Sequence, residues 1–275
     1  MSPFRGSAPF TDEWKHFRVD RDDGIATITF ERPEKLNALT FEAYADLRDF
    51  FGEIPHREDT AIVVLRGEGR AFCSGGDVDE IIGATLDMRP DELLSFTTMT
   101  GDVVRAIREL PALVIAAIHG TAAGAGSVLA LASDFRVMAR TASFAFLFTK
   151  VGLAWADMGA AYLLPRMVGL SRATQLLVLG DSLSAEKADE WGLVSELVDE
   201  GEVDATVQAL ANRLAGGPRQ AYAQTKALLS RELDMGLSGA VELEAMTQAL
   251  LMKGEDYREF HAAFTARRKP EWKGR

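Results

Sequence analysis

Residues 113–132 read LVIAAIHGTAAGAGSVLALA, and the order of side-chain types in this stretch indicates the class of fold. The first six residues are all apolar and predict a strand buried on both faces, as in a parallel sheet covered on both sides. The last five, Val128–Ala132, predict a helix. The small residues between them allow a helix N-terminus to pack closely and to present unpaired backbone N–H groups. Tight helix–sheet packing and a ligand site both remain open readings of this turn.

A second small-residue turn, AFCSGGD at 71–77, also follows a predicted strand and precedes a helical run. Its paired glycines let the backbone turn sharply and approach a ligand, although a plain strand-to-helix turn explains them equally simply. The turn at 119–127 lacks the spacing of a dinucleotide fingerprint and the lysine of a phosphate-binding loop. Two such turns in one chain nevertheless suggest a pair of converging backbone donors, which is how proteins stabilise an oxyanion.

Working outward, the chain alternates strands and helices and then becomes helical. From about residue 202 the pattern is helical, with turns at 216–218, at Gly236 and at 253–254. We therefore expect an α/β core over residues 1–200 and a helical region over 201–275. The predicted strands are 24–30, 60–66, 113–118, 135–138 and 193–198, and the predicted early helices are 41–52, capped by Thr40, and 92–110.

Composition narrows the classes of function. The 275 residues hold 30 Lys and Arg against 41 Asp and Glu, a formal net charge of −11. Such an acidic chain is a poor partner for nucleic acid or anionic lipid, so we expect neither. The single cysteine, Cys73, excludes an intrachain disulfide and a cysteine-cluster metal site, which is typical of a cytoplasmic protein. We find no secretory signal and no apolar stretch long enough to span a bilayer.

From about residue 14 to the C-terminus, the sequence resembles the crotonase, or enoyl-CoA hydratase/isomerase, family. No single matching stretch is decisive, but their order and spacing are specific. The matches are ERPEKLNAL at 31–39, AFCSGGD at 71–77, residues 119–134, YLLPRMVG at 162–169, LSAEKADEWGLV at 183–194 and AFTARRKPEWKG at 263–274.

This resemblance implies a fold and a type of chemistry. Family members form a spiral of ββα units with a C-terminal helical region and assemble as trimers or dimers of trimers. They bind acyl-CoA and hold its thioester oxygen between two backbone N–H groups, which here match Gly76, after Gly75, and Ala125, after Gly124. Coenzyme A is then part of the substrate, and no further cofactor and no metal is expected. By the same resemblance, further contacts to CoA are expected from Lys35, Leu36, Ala38, Ala71, Ser74 and Asp77.

The sequence departs from the two-glutamate hydratases of the family. Their two catalytic glutamates fall on Val128 and Phe148, which are both apolar. One carboxylate remains, because Asp157 precedes YLLPRMVG at the spacing of the isomerase-like branch, where an aspartate transfers protons. The aryl-CoA dehalogenase branch uses an aspartate at a similar position as a nucleophile. A purely structural alternative is that Asp157 caps a helix starting near Met158.

Other residues receive plainer interpretations. We expect Trp155 to shape the acyl pocket and His119 to be structural, and Cys73 has no partner base that would mark it as a nucleophile. Phe260 and Lys273 match a tail that, in family members, covers CoA of the same or a neighbouring subunit. Apolar positions of the C-terminal helices, Leu237, Val241, Leu250 and Leu251, could supply a trimer surface.

The predicted function is therefore an acyl-CoA enzyme that leans to double-bond isomerisation. A single carboxylate can remove a proton from one carbon and return it to another, whereas hydration also needs a positioned water. Hydration, another enolate reaction of the dehalogenase or hydrolase type, and a non-catalytic acyl-CoA-binding protein remain the alternatives, since fold alone does not fix chemistry.

Overall fold

Ten strands form two sheets in the computed structural model, which describes residues 10–154 and 157–275. The strands are β1 Arg18–Asp22, β2 Ile25–Phe30, β3 Ile62–Gly67, β4 Ala71–Cys73, β5 Leu113–Ile118, β6 Thr121–Ala123, β7 Phe135–Ala139, β8 Ser143–Ala145, β9 Ser182–Ser184 and β10 Glu196–Val198. The larger sheet has the order β1-β2-β3-β5-β7-β10, and the smaller has the order β4-β6-β8-β9. Pairing is parallel except at β1-β2 and β8-β9, which are antiparallel.

The helices connect the strands and form the C-terminal part of the chain. They are α1 Phe41–Glu53, α2 Gly83–Thr85, α3 Pro90–Glu109, α4 Ala125–Ala132, α5 Ala160–Val168, α6 Leu170–Leu179, α7 Ala185–Glu190, α8 Val203–Ala215, α9 Arg219–Glu232, α10 Leu237–Leu251 and α11 Glu255–Ala266. Short 3₁₀ turns and one π-helical turn, Val78–Ile82, lie between them. Over the described ranges, none of these helices combines the length and apolarity needed to cross a membrane.

The chain repeats one unit as it winds through the two sheets. A strand of the larger sheet is followed by a short strand of the smaller sheet and then by helix, as in β3-β4-α2-α3, β5-β6-α4 and β7-β8-α5. Because β3, β5 and β7 are neighbours in one sheet, and β4, β6 and β8 are neighbours in the other, successive units stack in register. The predicted spiral of ββα units with a C-terminal helical region is confirmed.

Burial accounts for the strands that the sequence predicts well. All six residues of β5 are buried, as expected for a strand covered on both faces. Helix α8 and strand β4 are among the elements that pack against β5.

The helix predicted over 41–52 is α1, and the Thr40 hydroxyl caps it by accepting a hydrogen bond from the Ala43 N–H at 3.1 Å. The predicted C-terminal turns separate α8, α9, α10 and α11.

The sequence analysis missed the first strand. No strand is predicted over residues 18–22, but the structure has β1 there, and β1 pairs with β2 as an antiparallel hairpin. The turn consists of Asp23 and Gly24, both with positive φ, 41° and 80°. Asp-Gly at these two positions is the typical sequence of a tight hairpin turn, and that signal could have predicted β1.

Helix α4 is held tightly at both ends. At its C-terminus the buried Arg136 guanidinium donates to the Ser133 carbonyl at 2.6 Å and to the Ala130 carbonyl at 3.3 Å, which complements the helix dipole. Burial lowers the pKa of Arg136 to about 10. Near its N-terminus, a β-carbon on Gly126 would lie 2.1 Å from the Cys73 carbonyl oxygen, so a residue without a side chain is required there. The start of α4 is therefore fixed against β4.

Candidate active site

The first donor loop, defined as residues 74–77, follows β4 and pairs with the segment 36–39. The Ser74 N–H donates to the Leu36 carbonyl at 3.0 Å, and the Leu39 N–H donates to the Gly75 carbonyl at 2.8 Å. The Asp77 N–H returns a bond to the Leu39 carbonyl at 2.9 Å. These three bonds hold the loop in one conformation beside the start of α1.

Asn37 and Arg32 hold the segment 36–39 in place through side-chain hydrogen bonds. The Asn37 side chain is buried, and its amide nitrogen donates to the carbonyls of Ala71 at 2.7 Å and Glu68 at 2.9 Å. Its amide oxygen accepts from the Arg32 N–H at 3.0 Å. The Arg32 guanidinium reaches the Asp77 carboxylate at 2.8 Å. This asparagine belongs to the motif at 31–39, but the sequence alone predicts no role for its side chain.

Asp77 and Lys35, both expected to contact CoA, form local ion pairs. Burial opposes ionisation of Asp77, but hydrogen bonds from Arg32 and from the Glu80 N–H outweigh it and lower the pKa of the carboxyl group. The buried Asp77 carboxylate also accepts from the Asp79 N–H at 3.1 Å and caps the following helical turn. Lys35 is exposed, with its Nζ 2.8 Å from the Asp79 carboxylate. Of the two residues, Lys35 therefore has the side chain free to reach a ligand in solvent.

The second donor loop, defined as residues 123–125, joins β6 to α4. Gly124 is the N-cap residue and has a positive φ of 51°, and no side chain caps this helix. The Gly124 N–H donates to the Ala145 carbonyl at 3.0 Å. The buried Ser127 hydroxyl donates to the Ala122 carbonyl at 2.7 Å. Ala125 begins the helix and is almost fully buried.

The two donor loops touch each other. A β-carbon on Gly75, where φ is +99°, would lie 3.1 Å from the Ala125 nitrogen and 3.1 Å from the Ala123 carbonyl oxygen. Within the described ranges, the N–H groups of Gly76 and Ala125 donate to no other protein group. Gly76 is exposed. The structure therefore brings into contact the two turns that carry these unpaired backbone donors.

Asp157 lies just before α5, which packs against α4. Its Oδ1 accepts from the Met158 N–H at 2.9 Å, and its Oδ2 has no hydrogen-bond partner in the part of the chain that the structure describes. Burial raises the pKa of this carboxyl group, and the Met158 bond offsets only part of that effect. Helix α5 begins at Ala160 with Gly159 as its N-cap residue, so Asp157 does not cap it.

Tyr44 lies beside the first donor loop. Its hydroxyl lies 3.8 Å from the position that a β-carbon would take on Gly76. The pKa of Tyr44 is raised well above the usual value, mainly by burial and further by Cys73 and by the Asp157 carboxylate. Sequence analysis gave Tyr44 no role, and no local pattern marks it.

The positions that the resemblance assigns to two glutamates hold apolar side chains in the structure. Val128 is completely buried in the second turn of α4. Phe148 is partly buried and begins the 3₁₀ turn Phe148–Val151. Neither residue can exchange a proton. Asp157 is therefore the carboxylate that the motif comparison leaves available for proton transfer.

Other expected contacts divide into three groups. Leu36, Ala38 and Ser74 lie at the first donor loop, where the Ser74 hydroxyl donates to the Lys35 carbonyl at 3.3 Å. Ala71 lies behind that loop and is buried within β4. Trp155 lies outside the described residues.

The two C-terminal residues expected to contact CoA lie on α11 and in the tail that follows it. Phe260 is half exposed on α11, and its ring stacks on Phe264 with centroids 6.0 Å apart. Lys273 lines a cleft of about 630 Å³ beside Ile62 and Leu113, the first residues of β3 and β5. The described residues around this cleft belong to neither donor loop.

Two further polar residues have structural settings. The His119 Nε2 lies 2.8 Å from the Gly69 carbonyl oxygen, which agrees with a structural histidine. The Cys73 thiol is completely buried, and burial raises its pKa to about 12, so it stays protonated at neutral pH. Across the described ranges, no group of three or more His, Cys, Asp or Glu side chains is placed to hold a metal ion.

Comparison with known proteins identifies the family. The sequence model described as Enoyl-CoA hydratase/isomerase matches residues 20–275. The chain belongs to the enoyl-CoA hydratase/isomerase family and is an enzyme of that kind. It is 36% identical over 254 residues to the 1,2-epoxyphenylacetyl-CoA isomerase of Escherichia coli (strain K12), a match covering 92% of this chain and 97% of that protein.

Solved structures agree with this assignment. A crystal structure from Streptomyces coelicolor A3(2), provisionally described as an enoyl-CoA hydratase, superimposes with a TM-score of 0.98. The two sequences are 65% identical, and the match covers 100% of each chain. A structure from Mycobacterium abscessus, provisionally described as an enoyl-CoA hydratase/isomerase, has a TM-score of 0.88 at 35% identity, covering 94% of this chain and all of that one.

Proposed function

We propose that the protein binds an acyl-CoA thioester and moves a double bond along the acyl chain through an enolate. The observation that carries this proposal is the contact between the two donor loops, each of which holds an unpaired backbone N–H group. Gly76 and Ala125 would donate to the thioester oxygen, and Asp157 would transfer the proton.

The two backbone donors suit an enolate oxygen. Removing a proton next to a thioester places negative charge on the thioester oxygen, and fixed N–H groups stabilise that charge without reorganising during the reaction. The Ala125 N–H also lies at the N-terminus of α4, where the helix dipole favours negative charge. An alanine serves as well as a glycine at this position because the donor is the main chain.

The single carboxylate favours isomerisation over hydration. A base that removes a proton from one carbon and returns it to another needs no second acid. Asp157 has one free carboxylate oxygen and a raised pKa. The raised pKa makes the carboxylate a stronger base and brings its pKa closer to that of the carbon acid whose enolate the donors stabilise. Hydration would also need a residue that positions a water molecule. The positions of the two usual glutamates hold Val128 and Phe148, which cannot do this.

The named relatives support this direction. The Escherichia coli protein is named for isomerisation of an epoxide-bearing CoA thioester, and a further relative, 29% identical over 264 residues, is named a trans-2-decenoyl-[acyl-carrier-protein] isomerase. Both names describe rearrangement of an acyl thioester rather than net hydrolysis. The first name supports a CoA thioester as substrate, and both names support an isomerase as the type of enzyme.

We further propose a homotrimer or a dimer of trimers in the cytoplasm. The exposed apolar side chains of α10, Leu237, Val241 and Leu250, supply a surface that a neighbouring subunit would cover. Within one chain Lys273 lies away from the donor loops, so a CoA contact from the tail would come from a neighbouring subunit. A single free thiol is typical of a protein in a reducing compartment.

A substrate screen tests the reaction. The protein is incubated with 2-enoyl, 3-enoyl, aryl and epoxy acyl-CoA thioesters, and the products are analysed by mass spectrometry and chromatography. We expect rearrangement with no change in mass. Gain of water would indicate a hydratase instead, loss of halide a dehalogenase, and release of free CoA a hydrolase.

Binding without turnover of any thioester would leave the non-catalytic alternative. Isotope labelling separates the remaining cases. An isomerase with one shielded carboxylate retains part of the substrate deuterium in the product, whereas a hydratase incorporates oxygen from solvent.

A further inference from the structure

Tyr44 has a buried ring and a hydroxyl without a hydrogen-bond partner. The side chain is 3% exposed. In the part of the chain that the structure describes, its hydroxyl neither donates to nor accepts from another residue. A buried hydroxyl that gives up its bonds to water without a replacement is unfavourable, so such a group in a native protein calls for a function.

The Tyr44 hydroxyl oxygen is not fully enclosed by protein. In the described ranges, the polar side-chain atoms that are fully enclosed without a partner are Trp14 Nε1, Thr149 Oγ1 and Glu232 Oε1. The Tyr44 oxygen also lacks a partner but is not among them, so it keeps some contact with open space. That space adjoins the first donor loop, because the hydroxyl lies 3.8 Å from the β-carbon position of Gly76.

The position of this hydroxyl is fixed by its surroundings. Leu39 pairs with the first donor loop, Thr40 caps α1, and Tyr44 follows one helical turn later. Its ring meets the edge of the Phe96 ring, with centroids 6.0 Å apart at an angle of 74°. Backbone pairing on one side and ring packing on the other hold the hydroxyl beside the loop, as a preorganised binding group requires.

We propose that Tyr44 donates a hydrogen bond to an oxygen atom on the acyl chain near the thioester. The protein would then prefer acyl-CoA substrates with a hydroxyl, epoxide or carbonyl oxygen at C2 or C3 over unsubstituted chains. This inference rests on the proposed function. If Gly76 and Ala125 hold the thioester oxygen and Asp157 faces the reacting carbons, the Tyr44 hydroxyl lies over the first carbons of the chain.

The chemical state of Tyr44 suits a donor. Burial, Cys73 and the Asp157 carboxylate all raise its pKa well above the usual value, so the hydroxyl keeps its proton at neutral pH. A site built to hydrogen-bond a substrate oxygen discriminates strongly against an analogue that lacks it, because the donor is then left unpaired. Tyr44 is thus a specificity-determining residue.

The test measures binding separately from turnover. In an Asp157→Asn background, which should prevent reaction, calorimetry compares a 3-hydroxyacyl-CoA with the saturated acyl-CoA of the same chain length. We expect Tyr44→Phe to weaken binding of the 3-hydroxy compound about tenfold and to change binding of the saturated compound by less than about twofold. Tyr44→Phe keeps the ring packing and removes no protein hydrogen bond, so the melting temperature should not fall.

The matched control is Tyr257→Phe, an exposed tyrosine on α11, which should alter neither affinity. An equal loss for both thioesters would show that Tyr44 contacts the thioester itself and would overturn the inference. An unchanged affinity for both would reduce Tyr44 to a packing residue and also overturn it. If the native chain turns over thioesters, either of these two results overturns the role of Tyr44 but not the proposed function. If neither thioester binds any variant, the proposed function fails with it.

Discussion

The β-carbon position of Gly75 lies 3.1 Å from the backbone nitrogen of Ala125, so two turns 50 residues apart in sequence are in van der Waals contact. The contact requires a residue without a side chain, and the φ of +99° at Gly75 requires the same residue type. The distance between the Gly76 and Ala125 donors depends on this contact.

Gly75→Ala should therefore separate the two donor loops. The new methyl group would meet backbone atoms that cannot move aside, and the residue would be strained at its positive φ. We expect lower turnover together with a loss of stability of about 1–3 kcal/mol, measured by thermal unfolding. Gly52→Ala, in an open position on α1, is the control and should leave both unchanged or slightly raise stability. A folded Gly75→Ala variant with native turnover would contradict the role of this contact.

Ala125→Pro should remove one oxyanion donor. Proline has no N–H group, and loss of one such donor costs about 10²–10³-fold in kcat. Ala125→Gly keeps the N–H and is the matched control, with turnover near that of the native chain. Circular dichroism must first show that the proline variant is folded. Native turnover in a folded Ala125→Pro variant would rule out this donor.

Asp157→Asn should nearly abolish turnover and leave acyl-CoA affinity largely intact. Asparagine keeps the volume and can still accept from the Met158 N–H, but it cannot take a proton at neutral pH. Loss of a general base costs about 10²–10⁴-fold in rate. Steady-state kinetics and calorimetry on the same thioester check both parts. Asp181→Asn, at an exposed acid, serves as the control. Near-native rates in Asp157→Asn would refute the proposed mechanism.

The pH dependence of kcat/KM should report the raised pKa of Asp157. Because the ionised carboxylate is the base, activity falls as pH drops through this pKa. The midpoint of the acid limb should lie above the ordinary aspartate value of 3.8, since burial raises the pKa. A limb at or below the ordinary value would show that the working base is a different group.

The same raised pKa predicts that Asp157→Asn stabilises the folded chain at neutral pH. A carboxyl group with a higher pKa folded than unfolded favours folding while it is protonated, and that contribution is lost as pH rises through the folded pKa. Removing the buried charge should raise the melting temperature at pH 7. The difference from the native chain should shrink as pH falls toward the ordinary aspartate pKa. A lower melting temperature at pH 7 would contradict this prediction.

Replacing Leu237 and Leu250 by Glu should dissociate the assembly. These side chains are 81% and 76% exposed in the single chain, and burying each apolar side chain at an interface contributes about 1.5–3 kcal/mol. Light scattering should give the native protein a mass of three or six times 29.9 kDa and the double variant a mass near 29.9 kDa. Gln208→Glu, exposed on α8, is the control. A native chain that is monomeric at micromolar concentration would refute the trimer.

The sequence predicted the fold closely where burial determines it. The apolar run of β5, the Thr40 cap and the C-terminal glycine turns each have a local cause, so a single sequence suffices to find them. The hairpin of β1 was missed, although Asp23-Gly24 carries its signal. The predicted strand over 193–198 is present only as Glu196–Val198.

The site was predictable in its backbone and less so in its side chains. The two glycine turns are visible in the sequence, and their contact follows from the parallel pairing of β4 and β6. The pairing of Arg32 with Asp77, 45 residues apart, and the approach of Tyr44 to Gly76 depend on the tertiary fold. No local period or spacing in the sequence predicts such contacts, so only the three-dimensional structure shows them.

The residues of the proposed site come from three successive ββα units. The two donors follow β4 and β6, in successive units, whereas Asp157 follows β8 in the third. Under the proposed function, thioester recognition and proton transfer are therefore assigned to separate, sequentially distant connections. On that assignment, changes confined to the third connection would alter the reaction, while the first two would still hold a CoA thioester.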